Sequence, residues 1–242
     1  MTREQSKARS AGAADPCIRD AINAFLEAQR QRLKPATIRK YEGVISLLAD
    51  YIDGYGADDL MGEEKALWER ATDGGRRESP GVCDLVGPDH IPGHLHMFLN
   101  YFIVRKVMCG GDFKRAAGTV TKKLGHWLYE QGHIDAETAG ETIGTGGQAS
   151  HDLPATHRVL DLLAQQADQA FAGSDNVIED HFEISRIERG RLHLIGLITA
   201  DEIKLTLPAA ITDQCRDGWT IAGAIGRKGR RWRLVEVWNV YP

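Results

Sequence analysis

Apolar residues in the first two thirds of the chain recur at the three-and-four spacing of buried helical faces. Ile18, Ile22, Phe25, Leu26 and Leu33 form one stripe, and Ile38, Tyr41, Ile45, Leu48 and Ile52 form the next. Lys34-Pro35 separates them, because proline suits a helix's first turn and disfavours helix in the residue before it. A short charged helix is predicted over residues 63–71 and a Gly/Pro-rich connection over 73–92. A strongly apolar helix over 93–108 carries Leu95, Phe98, Leu99, Phe102, Ile103 and Val107. The segment 113–134 presents Val120, Leu124, Trp127 and Leu128 inward. Residues 144–150, Gly-Thr-Gly-Gly-Gln-Ala-Ser, read as a linker, and 153–171 as one more helix facing a core through Val159, Leu162, Leu163, Ala167 and Ala170.

From residue 180 the period changes to two. Strands are predicted over 181–188, 191–197, 202–207, 219–225 and 232–238, with turns at Arg189-Gly190 and Lys228-Gly229. Phe182, Ile184, Leu192, Leu194, Leu205, Ile221, Leu234 and Val237 are the expected inner face. The whole reads as an α+β, multidomain chain: a polar, disordered leader (1–14), an all-α bundle (15–143), a linker and connecting helix (144–179), and a small antiparallel β-barrel of the SH3-like or OB-like kind (180–242).

Composition narrows the function classes. At 242 residues with 42% hydrophobic and 26% charged residues, the chain is an ordinary globular one. It has no apolar run of the roughly 20 residues a membrane helix needs. Its first ten residues lack a signal core, so a cytoplasmic location without a membrane partner is expected. The four cysteines, Cys17, Cys83, Cys109 and Cys215, are scattered and read as free thiols. A net charge of -4 does not favour a nucleic-acid binder, but the bases are clustered at 30–40, 105–123 and 227–233.

Those clusters are the candidate chemistry. Lys34, Thr37, Arg39 and Lys40 crowd the start of one amphipathic helix, and Lys114, Arg115, Thr119, Lys122 and Lys123 the start of another. Cations and hydroxyls at a helix N-terminus suit phosphate oxygens, because the unpaired amides and the helix dipole already favour an anion there. Arg227, Lys228, Arg230 and Arg231 form the densest positive cluster, beside Trp232 and Arg233. His94 and His96, two apart on a helix, point to different faces and have no partner at zinc-site spacing, so no metal is expected. Gly144–Gly147 lacks the strand and lysine of a phosphate loop, and no cofactor is expected.

The element Leu33-x-Pro35-x-Thr37-Ile38-x-x-Tyr41, with the Phe25-Leu26 helix before it, resembles the N-terminal core-binding (SAM-like) domain of tyrosine recombinases and phage integrases. The later Thr119–Ile134 run, ending Gly132-His133-Ile134, resembles that domain's last main helix. The resemblance covers roughly residues 15–135 and implies a helical bundle that clamps duplex DNA, with helices at 35–51 and 119–131 against the backbone. It stops short of catalysis. None of the nine histidines is followed by arginine three positions on, and the hundred or so residues after the bundle do not read as the family's catalytic domain. Tyr241 is not surrounded by the cations that a nucleophile attacking phosphate requires. The expectation is a non-enzymatic protein that binds double-stranded DNA and is accessory to recombination or a mobile element. The alternative is a protein-interaction adaptor that keeps the helical fold without DNA affinity.

Overall fold

The computed structural model describes residues 12–72, 79–167 and 177–242, an α+β chain with helices first and an antiparallel sheet after them. It divides into two compact units, Met1–Phe98 with Ala116–Gln148 and Leu99–Arg115 with Ala149–Pro242.

In the first unit α1 (Ile18–Arg30) and α2 (Pro35–Tyr55) form an antiparallel pair. Pro35 occupies the first turn of α2, and Lys34 before it is extended, as the sequence predicts. Most of both stripes is buried, with Ile18, Ile22, Phe25 and Leu26 facing Tyr41, Ile45, Leu48 and Ile52, while Leu33 and Ile38 are half-buried. After α3 (Gly62–Thr72) comes the stretch expected to be a connection. Residues 73–78 of it lie outside the described residues, but 79–90 are packed rather than loose. Val82, Cys83, Leu85 and Val86 are buried there, and backbone bonds from Ala14 to Leu85 and from Ile18 to Val86 seal them onto the chain's start. Arg19 holds this segment down, pairing with Asp53 at 2.7 Å and with Asp84. The expected helix over 93–108 begins as α4 (Ile91–Met97), widens through a π-turn (Phe98–Phe102) and ends as α5 (Ile103–Arg105).

The helices α6 (Gly111–Glu130) and α7 (Ala136–Ala164) each contribute to both units. Within the first unit they form a hairpin joined by a short turn at Gly132, whose φ of 74° suits glycine. Here the expected linker at 144–150 is corrected: it is helical and lies inside α7. A Cβ at Gly146 would sit 2.4 Å from the Lys122 amide nitrogen, and one at Gly125 would sit 2.6 Å from Thr142 Cγ2. The glycines mark a backbone-to-backbone helix crossing, which only residues without side chains permit.

The second unit is built on a five-stranded antiparallel sheet of order β3-β2-β1-β4-β5. The strands are β1 (Val177–Glu188), β2 (Arg191–Gly196), β3 (Glu202–Thr206), β4 (Thr220–Lys228) and β5 (Arg231–Tyr241), with a short α8 (Ala209–Thr212) between β3 and β4. Both predicted turns are present, with Gly190 at φ 84° and Gly229 at φ 63°. The register is pinned by the alternation: Phe182, Ile184, Leu192, Leu194, Leu205, Ile221 and Leu234 are all buried, and Val237 packs against them half-buried. The sheet curls so that edge strands β3 and β5 approach, and Val159 and Leu163 of α7 fill its inner face. The remainder of the predicted helix, from 168 to 171, lies outside the described residues. A buried carboxylate closes the loop after β2. Asp180 accepts the Thr199 amide at 2.9 Å, the Thr199 hydroxyl at 2.9 Å and the Ile198 amide at 3.1 Å.

Candidate nucleic-acid interface

The start of α2 is bare and basic. Lys34, Thr37, Arg39 and Lys40 are all exposed, no acidic residue occupies the first turn, and no side chain caps it. Pro35 has no amide hydrogen, and the amides of Thr37 and Ile38 donate to the Lys34 carbonyl at 2.9 and 3.0 Å. On α6, Thr119, Lys122 and Lys123 are exposed, and His126 continues their face one turn further. Both helices rest on the same buried ring. Phe25 of α1 lies 6.1 Å from Tyr41 of α2 and 5.9 Å from Trp127 of α6, centroid to centroid.

The distribution of ion pairs separates these cations from their neighbours. Arg19 is held by Asp53 and Asp84, and Arg30 pairs with Glu42 at 2.7 Å and Glu27 at 3.2 Å. Among the described residues, no carboxylate lies within ion-pair distance of Lys34, Arg39, Lys40, Lys122 or Lys123. A cation without a counterion in its own chain can release solvent ions when it meets a phosphate.

The second unit holds the other candidates, and they do not all face water. Arg115 is exposed. Lys114, expected at a phosphate, is corrected: it is only 4% exposed, with Nζ 3.4 Å from His157 Nδ1. Helical periodicity explains it, since Lys114 lies three and ten residues before Ala117 and Leu124, both fully buried on the inner face of α6. Burial pushes its ammonium below the ordinary lysine range, against the opposing pull of Cys109 and Asp161. Burial likewise raises the Cys109 thiol. At the β4–β5 turn, Arg227, Arg230 and Arg231 are exposed, while the Lys228 side chain lies outside the described residues. Arg227 folds back on its own turn, donating from Nε to the Gly229 carbonyl at 2.9 Å, with its Cζ 5.2 Å from the Trp232 ring centroid. Trp232 packs half-buried against the core, so it braces the turn.

Three groups escape the sequence reading. His126 extends the α6 face and carries the signal of i+3 and i+4 spacing from Lys123 and Lys122. His157 and Asp161 meet Lys114 across the fold, and only their own i,i+4 spacing was visible beforehand. Among the described residues no group of three or more His, Cys, Asp or Glu is placed to hold a metal ion, and no helix is long and apolar enough to cross a membrane. No protein-family model matches the chain, and neither does any curated protein or solved structure.

Proposed function

We propose that this chain binds the sugar–phosphate backbone of double-stranded DNA without cutting it. Lys34, Thr37, Arg39 and Lys40 at the start of α2 and Thr119, Lys122 and Lys123 on α6 make the contacts. The observation that carries this reading is the set of five exposed cations without a carboxylate partner, on two helices braced by one aromatic cluster around Phe25. The neighbouring Arg19 and Arg30 are paired within the fold. The likeness of Thr37-Ile38-x-x-Tyr41 and of Thr119–Ile134 to the integrase core-binding domain supports placing the same two helices against DNA, with an accessory role in recombination. In that reading the sheet is a barrel of the SH3-like or OB-like kind, and Arg115, Arg227, Arg230 and Arg231 add contacts from the second unit.

The test is fluorescence anisotropy with a mixed-sequence duplex across a salt series. Binding should weaken steeply with salt, and Lys122→Ala with Lys123→Ala should flatten the log–log slope by about 2, roughly one per lost phosphate contact. No binding to any duplex at low salt would remove the proposal. Incubation with nicked substrates should give no covalent adduct on denaturing gels, since this chain has no His-x-x-Arg element. A second reading, a protein-interaction adaptor, is favoured by the net charge of -4 and by the exposed Leu197 (56%) and Ile198 (78%).

A further inference from the structure

Lys114 lies in the first turn of α6 with its side chain turned inward, and among the described residues no carboxylate comes within ion-pair distance of it. A buried ammonium in that position has three donors to satisfy, and the hydrogen-bond partner it finds is a ring nitrogen, His157 Nδ1 at 3.4 Å. One helical turn further along α7, Asp161 Oδ2 stands 4.0 Å from the other ring nitrogen, His157 Nε2. The carboxylate favours the proton on Nε2, which leaves the Nδ1 lone pair directed at the amine. Desolvation shifts the amine toward its uncharged form, against the opposing pull of Cys109 and Asp161. Gly111 packs beside the ring: a Cβ there would come 3.6 Å from His157 Cδ2 and 3.8 Å from Pro154 Cβ.

A desolvated amine, a base within reach of it, and a carboxylate beside the base are the parts of a nucleophilic site. We propose that Lys114, His157 and Asp161 form such a site, and that it takes a small carbonyl compound, an aldehyde or α-keto acid, as a Schiff base on Lys114. The Nζ lone pair attacks the carbonyl carbon. An N–H proton passes to His157 Nδ1 and from there to the carbonyl oxygen, giving a carbinolamine hydroxyl. His157 then takes up one proton from solvent and delivers it to that hydroxyl, which leaves as water as the protonated C=N bond forms. Amine, carbonyl and one solvent proton are consumed, one water is released, the charge stays on the iminium, and no oxidant or reductant is required. Asp161 acts through the imidazole as a positioning residue. This site is independent of the DNA reading.

The experiment is reductive methylation of the full chain with formaldehyde and cyanoborohydride near pH 7, followed by peptide mapping. Lys114 should be labelled before the exposed Lys122 and Lys123, which serve as controls in the same sample. His157→Gln should slow labelling at Lys114 about a hundredfold and leave Lys122 unchanged. Asp161→Asn should shift the pH profile of labelling at Lys114 alone. Slower labelling of Lys114 than of Lys122, or an unchanged rate in His157→Gln, would overturn the proposal.

Discussion

Two glycines on one helix should respond to the same substitution with opposite signs. In α7, Gly144 is exposed and a Cβ there meets nothing within 4 Å, whereas a Cβ at Gly146 meets the Lys122 backbone nitrogen at 2.4 Å, the Gly118 carbonyl oxygen at 2.9 Å and Lys122 Cα at 2.9 Å. Replacing glycine by alanine inside a helix stabilises it by about 0.8–1 kcal/mol, because the unfolded chain loses freedom. Gly144→Ala should show that gain undiminished. At Gly146 the gain is opposed by overpacking, which costs roughly 1–3 kcal/mol. The upper end applies, since the obstructing atoms are main chain and α6 itself must shift. The net expectation for Gly146→Ala is a loss of about 2 kcal/mol. The two variants therefore differ by about 3 kcal/mol, which at roughly 2–4 °C per kcal/mol separates their melting temperatures by about 6–12 °C. Thermal melts followed by circular dichroism at 222 nm measure this. Equal stabilisation by both substitutions would refute the helix crossing and restore the linker.

Other predictions concern buried charge and pH. Burial alone would raise the Asp180 carboxyl, but hydrogen bonds from Thr199, His181 and Ile198 outweigh it and hold the group below the usual range. Asp180→Ala should cost about 2–3 kcal/mol at neutral pH by leaving those donors unmatched. Because the folded value lies below the unfolded one, that contribution is present above about pH 4 and fades on acidification, so urea melts of wild type and variant should converge in acid. Burial lowers His94, with Asp59 opposing it, so the unfolded chain takes up this proton first and the protein should lose stability as pH falls below about 6.5. His94→Gln should reduce that slope; an unchanged slope would reassign it to another histidine.

Much of the fold was legible because its signals are local and periodic. The stripes of α1 and α2, the break at Pro35 and the alternation from Phe182 to Val237 each repeat over several residues, and one slip would expose them all. What was missed depends on distant neighbours. The glycines of 144–150 have the composition of a linker, and only α6 lying across them reveals a seam. The segment 79–90 reads as a loop because its burial comes from α1 and α2 rather than from its own periodicity. The candidate interface was legible at Lys34–Lys40 and Lys122–Lys123, where basic residues lie off the apolar stripe. Lys114 misled, because a charged residue on the inner turn of a helix looks like its exposed neighbours until its partner, His157, is known.

The seam between α6 and α7 has a practical corollary for anyone who would build on this scaffold. By composition, 144–150 is where a reporter domain, a protease site or a split point would be placed, and there such a graft would force apart two main chains in contact. The turn at Gly229, exposed and at positive φ between paired strands, offers the better insertion point.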